Sequence, residues 1–367
     1  MRTPNLNPVV CLCGLAGLLL SAALPVAANA ASFLSSLAAS PNITASTIPT
    51  NGDVNPYGVA FVPQNLVTSS ALSAGDVLVS NFNNSSNLQG TGSTIVKVST
   101  TGTPSLFYQG PKGIGLTTAL DVLKSGFVIV GNTPTTDGTT KTISSGSLIV
   151  LDDSGNFVEN LTDNVLLDGP WDMSIQDFGQ NVILFVSNVL DGSVSRISLI
   201  VPAGGIPRVV SETKIATGYA VYPNAAALIV GPTGLAFDVN TDSLYVASTG
   251  NNSIYVVSRA FERNSPDGPG KVVYHDPAHL RGPLGLIIAP NGDLVTSNGD
   301  AINANSGFPS ELVEFTKTGK FVDQRSVDSS GEGGAFGIAI QIQPGGVDRF
   351  AAVDDVTNSV DIWIQGP

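Results

Sequence analysis

One unit recurs along this chain and leaves it few folds to choose from. Its best copy is Gly231 to Ser258, GPTGLAFDVNTDSLYVASTGNNSIYVVS. Three short runs of β-branched or aromatic residues, Leu235 to Phe237, Leu244 to Ala247 and Ile254 to Val257, are separated by Gly/Asn/Asp-rich turns. That spacing predicts an antiparallel meander and excludes helix. The opening of the unit returns at Asn55-Pro56-Tyr57-Gly58, Gly113-Ile114-Gly115, Gly169-Pro170-Trp171-Asp172, Gly282-Pro283-Leu284-Gly285 and Gly334-Ala335-Phe336-Gly337. With Gly58, Gly115, Asp172, Gly234, Gly285 and Gly337 as markers, the steps are 57, 57, 62, 51 and 52 residues. A period near fifty with several strands per copy specifies a propeller, because a β-helix coil would need about half that length. Six copies predict an all-β, six-bladed β-propeller of four-stranded antiparallel blades.

After Gly337 only three strands can be drawn before Pro367: Ile338 to Gln343, Arg349 to Val353 and Val360 to Ile364. The last blade is therefore one strand short. A strand within Ile43 to Ile48 is expected to fill the gap and close the last blade, removing a sheet edge.

Residues 1–30 differ in kind. Arg2 is their only charge, Val9 to Leu24 is apolar, and Ala28-Asn29-Ala30 places small residues at −3 and −1. This is the layout of a secretory signal peptide cleaved after Ala30. The expectation is a secreted or periplasmic protein with a single propeller domain over 31–367. Both cysteines, Cys11 and Cys13, fall in the leader, so thiol chemistry and a disulfide framework are not expected of the mature chain. Charged residues make up 12% and the net charge is −13, which argues against nucleic acid as a partner. No later run is long enough to span a membrane. A monomer that takes a small-molecule, glycan or protein ligand is the expected form.

In a meander the turn before the first strand and the turn after the second share one face. A polar residue ends each second strand: Asn81, Asn132, Asn188, Thr249, Asn298 and Asp355. These are expected to ring the channel mouth beside Asp168, Trp171 and Asp172, with the long second-to-third-strand links around them. Two readings of the ring stay open. It supplies oxygens to one divalent cation, Ca²⁺ or Mg²⁺, through Asp168, Asp172 and Asp355, or it holds a sugar-like ligand between Tyr57, Trp171 and Phe336. Alternatively the amides only cap turns. Asp238-Val239-Asn240-Thr241-Asp242 has the oxygen spacing of a calcium loop's start but lacks the Gly and acid that should follow, so it reads as a hairpin turn. His275 and His279 flank Pro277 and read as loop. No nucleophile–base set or phosphate loop appears, so no catalytic residues are assigned.

The copies GPTGLAF…LYVASTGNNSIYVVS and GPLGLIIAPNGDLVTSN resemble NHL repeats, over roughly Asn55 to Ile364. That resemblance implies a six-bladed binding or scaffold platform of the kind found in secreted bacterial NHL-repeat proteins. The chain is also similar to the related gluconolactonase-like (senescence-marker) propellers, which hydrolyse sugar lactones with one divalent metal held by a Glu before Gly-Pro, an Asn and an Asp. Asp168-Gly169-Pro170-Trp171 matches that motif in part, with Asp for Glu and the Trp one place early, and Glu332-Gly333-Gly334 is a second near match. His275 and His279 do not match the His/Glu set of virginiamycin-lyase-like propellers. The resemblance implies a binding module first and a metal-dependent lactone hydrolase as the alternative.

Overall fold

Where apolar runs alternate with Gly, Asn and Asp, the chain has no choice but to turn every few residues. Strands of four to ten residues result, and they stack side by side as four-stranded sheets. A computed structural model describes residues 31–367 except 68, 164, 300–310, 329–333, 344 and 367. The expected leader over 1–30, the Glu332-Gly333 pair and most of the link after Asn298 lie outside the described residues.

Six four-stranded antiparallel sheets follow one another in chain order. Their innermost strands are Val54–Phe61, Leu116–Val122, Pro170–Asp177, Pro232–Asp238, Pro283–Ile288 and Ala335–Gln341. Each of these also packs against the innermost strand of the next blade, and Val54–Phe61 against Ala335–Gln341 closes the ring. The chain is thus an all-β six-bladed propeller.

The sixth blade is completed by Ile43–Ser46, antiparallel to Ser359–Gln365, with Ile43 opposite Ile362 and Ser46 opposite Ser359. The closing strand expected from the chain's shortfall is therefore present. Ahead of it lies a single helical turn, Phe33–Ser36, that the strand pattern does not announce. Phe33 and Leu34 bury themselves beside Leu312, Phe350 and Trp363 at the seam of blades five and six. Arg325 donates to the carbonyls of Leu34, Leu37, Ala38 and Ala39, and Trp363 Nε1 donates to Ala38.

Each seam between blades has its own apolar core. Leu78, Ile95, Leu120 and Ile149 fill the first; Ile129, Val150, Leu184 and Ile197 fill the second. Burying a side chain of this size contributes roughly 1.5–3 kcal/mol, and the ring repeats that gain at every seam. The recurring glycines permit the close approach. A Cβ at Gly337 would stand 2.2 Å from the Tyr57 carbonyl of the neighbouring blade, and one at Gly234 would stand 2.3 Å from that of Leu284. Blade two departs from the repeat spacing read from the sequence. Its innermost strand holds one extra residue between Leu116 and Leu120, and the small residue moves to Gly131 on the second strand. Gly115 is therefore a turn residue in the left-handed region rather than the counterpart of Gly58.

Candidate functional site

Among the described residues, the innermost strand of every sheet has one edge with no strand beside it. Six such edges face the propeller axis and offer backbone N–H and C=O groups there. Each strand also bulges after its opening residue, for example between Pro56 and Val59 and between Pro283 and Leu286. The result is a channel of about 1030 Å³ whose lining includes Gln64, Asn65, Asp121, Asp172, Gln176 and Asn240. Gln64, Asn65 and Asn240 belong to the turns between first and second strands, so the channel opens on the face opposite the Gly-Pro openings.

At the opening, Lys317 Nζ lies 2.7 Å from Asp238 Oδ2, and Gln64 Nε2 donates to Gln341 Oε1 at 2.8 Å. The rim is therefore mostly amide, with its one lysine already paired. Asp238 and Asn240 form the turn read from sequence as a hairpin: Asp238 pairs with Ser243, and Asp238 Oδ1 accepts from the Asn240 amide.

The Gly-Pro end is filled by side chains. Tyr57 stacks on Phe82 at 4.9 Å between ring centres, and meets Phe336 at 4.7 Å and Trp171 at 5.8 Å. Above them sits a hairpin, Tyr222–Asn224 paired with Leu228–Val230, inserted between blades three and four. Leu228 and Ile229 pack into the aromatic cluster, and Gln89 Nε2 of blade one donates to the Ala226 carbonyl across the mouth. Only a void of about 10 Å³ remains beneath the hairpin. Three of the residues singled out in the sequence, Tyr57, Trp171 and Phe336, come together in space. They do so as a plug, with Tyr57 at 4% and Trp171 at 1% exposure.

The asparagines of the expected ring turn their amides to the backbone. Asn81 donates to the Thr47 carbonyl and to Thr94 Oγ1. Asn132 donates to the Ile114 carbonyl and accepts from the Ser147 amide and hydroxyl. Asn188 donates to the Leu166 carbonyl and accepts from the Asp168 amide, while Asn298 donates to the His279 carbonyl and accepts from the Arg281 amide. Each ties the end of a second strand to the link arriving from the preceding blade, the local bonding for which short amide side chains are suited. His279 Nδ1 lies 2.5 Å from Asp276 Oδ2 in a tight turn, and His275 Nδ1 is 2.9 Å from Ser253 Oγ.

The three carboxylates assigned to a cation have different neighbours. Asp172 lines the channel; burial raises its pKa well above the ordinary range, and the charge of Asp121 adds to the shift. Asp121 is itself pushed up to about 7, chiefly by burial and further by Asp177, against the Val122 amide that favours its charged form. Asp355 sits at the plug, raised to about 7 by burial and then by Asp354, and among the described residues its Oδ1 has no partner. Its charge also raises the pKa of the Tyr57 phenol, for which burial is the larger cause. The Trp171 Nε1–H is directed toward that phenol and opposes the shift, but makes no bond of ordinary geometry. Asp168 contributes its backbone: its amide donates to Asn188, and its carbonyl accepts from Leu190. Among the described residues no three His, Cys, Asp or Glu side chains group as a metal site. Asp168, Asp172 and Asp355 therefore do not offer a divalent cation a common coordination shell.

Two features escaped the sequence reading. Asp121 is the one charged residue of Leu116–Val122, and that lone acid was the available signal. The plugging hairpin carried no such mark, since Tyr222 and Pro223 look like ordinary loop residues.

No protein-family model matches the chain, and no curated protein matches it. Solved structures do. A gluconolactonase from Xanthomonas campestris superposes with a TM-score of 0.52 at 13% identity, over 88% of this chain and 89% of its own. The calcium-binding protein regucalcin from Agrobacterium tumefaciens gives 0.50 at 13% identity, over 90% and 98%. A luciferin-regenerating enzyme gives 0.51 at 9% identity, over 88% and 95%. These similarities are of fold.

Proposed function

We propose that this chain is an exported binding propeller that admits a small, neutral, hydroxyl-rich molecule to its central channel from the face opposite the Gly-Pro openings. The observation that carries the reading is the channel itself: about 1030 Å³, blocked at one end by the aromatic plug and lined by six unpaired strand edges. Such edges present donors and acceptors in equal number and no net charge, which suits a ligand bearing both. The acids agree with this. Asp121, pushed up to about 7, keeps a proton toward neutral pH that it can donate to a hydroxyl, and burial shifts Asp172 in the same direction.

Trp171 lies directly before Asp172 and is one of two tryptophans, so a Trp363→Phe variant isolates its fluorescence as a reporter. Titration with monosaccharides and sugar acids, followed by calorimetry on any that shift the emission, tests the reading. Saturable binding weakened at least about fivefold by Asp121→Asn or Asp172→Asn is the expected result. Binding unaffected by both variants would reject the channel as its seat.

A second reading, a lactone hydrolase using Ca²⁺ or Mg²⁺, has the fold likeness to gluconolactonase and regucalcin in its favour. It requires turnover of an aldonolactone that stops on chelation and returns with the metal. Calcium titration of the native chain against an Asp172→Asn, Asp355→Asn double variant is its direct check. No heat in either, together with no turnover, removes it.

A further inference from the structure

The segment behind the expected cleavage point is seated on carboxylates in an unusual way. Glu314 is fully buried, and its carboxylate accepts from four neutral donors: Ser32 Oγ at 2.7 Å, the Phe33 and Leu34 amides at 2.9 Å each, and Asn291 Nδ2 at 2.7 Å. Ser32 Oγ also lies 2.7 Å from Asp323 Oδ2, so two carboxylates compete for one hydroxyl proton. Among the described residues no Lys or Arg pairs with Glu314 or Asp323. Arg325 is nearest to Asp323 and favours its charge, yet its donors go to backbone carbonyls. A buried carboxylate with no cation is costly, and this pair is short of positive charge.

Ala31 is the next residue toward the N-terminus. Its carbonyl accepts from Asn291 Nδ2 at 3.1 Å, and the same amide donates to Glu314. We propose that the missing cation is the chain's own new N-terminus: cleavage after Ala30 frees an α-ammonium on Ala31 that pairs with Glu314 and Asp323 and locks the docked segment. In that step water and a leader-processing protease hydrolyse the Ala30–Ala31 peptide bond. Oxygen from water joins the Ala30 carbonyl, and the nitrogen leaves with Ala31 and is protonated. Export then does more than deliver the propeller, because it supplies the last charge of the seam between blades five and six.

The charged groups around Glu314 and Asp323 are Asp293, with Lys317 (itself paired to Asp238) acting on it, and Arg325 beside Asp323 on the outer strand. Carboxylates outnumber cations, so an amine there holds its proton longer than in the unfolded chain. Its contribution is complete below the ordinary α-amino pKa of about 8 and is lost as pH rises through the higher folded value.

The test compares mature protein recovered after export with a chain retaining Asn29-Ala30, by hydrogen exchange at the Phe33 and Leu34 amides. Intact mass should place the mature start at Ala31. Exchange at pH 7 should be about fivefold faster in the extended chain, in line with a partly exposed ion pair. That difference should vanish above pH 9.5, and in both Glu314→Gln and Asp323→Asn, two variants so that a folding defect in one does not decide the matter. A different mature start, or equal exchange in the mature and extended chains, overturns the proposal.

Discussion

Asp121 shows how one side chain can set a pH response. Its pKa in the folded chain is about 7 against an ordinary 3.8, so the folded state holds a proton that the unfolded state has released. Stability should therefore be full below about pH 4 and fall as pH rises toward 7. Asp121→Asn keeps the shape, including the acceptor for the Val122 amide, and removes the titration. Urea unfolding at pH 8 should show the variant more stable than the native chain by about 1–2 kcal/mol, with the two converging near pH 4. The figure is modest because the group borders an open channel and not the packed seams. At this scale the sequence was readable by residue type more than by role. Asn132, Asn188 and Asn298 end their strands as expected, while Asn81 stands two residues inside Val77–Asn83, and which way each amide turns depends on a carbonyl arriving from the preceding blade. That partner is not written near it in the chain.

Strands were the most legible elements, because a run such as Leu244 to Ala247 has only one way to satisfy its backbone and bury alternate faces. The hairpin Tyr222–Val230 was not legible. Leu228 takes a left-handed backbone with φ of 61°, a conformation that sequence assigns to Gly or Asn, and Pro223 sits within a strand. Packing on Tyr57, Phe82 and Trp171 outweighs both local preferences. Its hold depends on that packing and on polar ties such as Gln89 to Ala226 and Tyr222 to Gly250. Replacing residues 222–230 by a short Gly/Ser link should leave the six sheets standing, since none of them includes this hairpin. It should expose Trp171. In the Trp363→Phe background, acrylamide quenching should rise severalfold and the emission should move to the red. Unchanged quenching would mean that the blades alone bury the indole.

At the scale of the molecule the period dictated the answer: six openings, six sheets, and a strand borrowed from the front to complete the last. A chain beginning at Asn51 loses Ile43–Ser46 and the docked turn, leaving Ser359–Gln365 as a bare edge and uncovering Phe350 and Trp363. Aggregation, or a melting point lower by several degrees, is the expected result, measured by calorimetry beside the mature chain. An unchanged melting curve would show that closure adds nothing. What the repeat could not disclose is which end of the channel is blocked, since that depends on an insertion outside it. The closing strand also has a consequence in time. Thr44 and Asp361 bond across 317 positions of chain, so the closing strand must wait for a partner made that much later. At ordinary synthesis rates that interval is on the order of 20–60 seconds. Throughout it the molecule is an open chain of blades, unable to latch. On the export route proposed above, such a clock keeps the ring open until late in synthesis. The waiting strand is suited to the delay: of Ile43, Thr44, Ala45 and Ser46, only Ala45 ends fully buried, so little apolar surface is left to find a wrong partner.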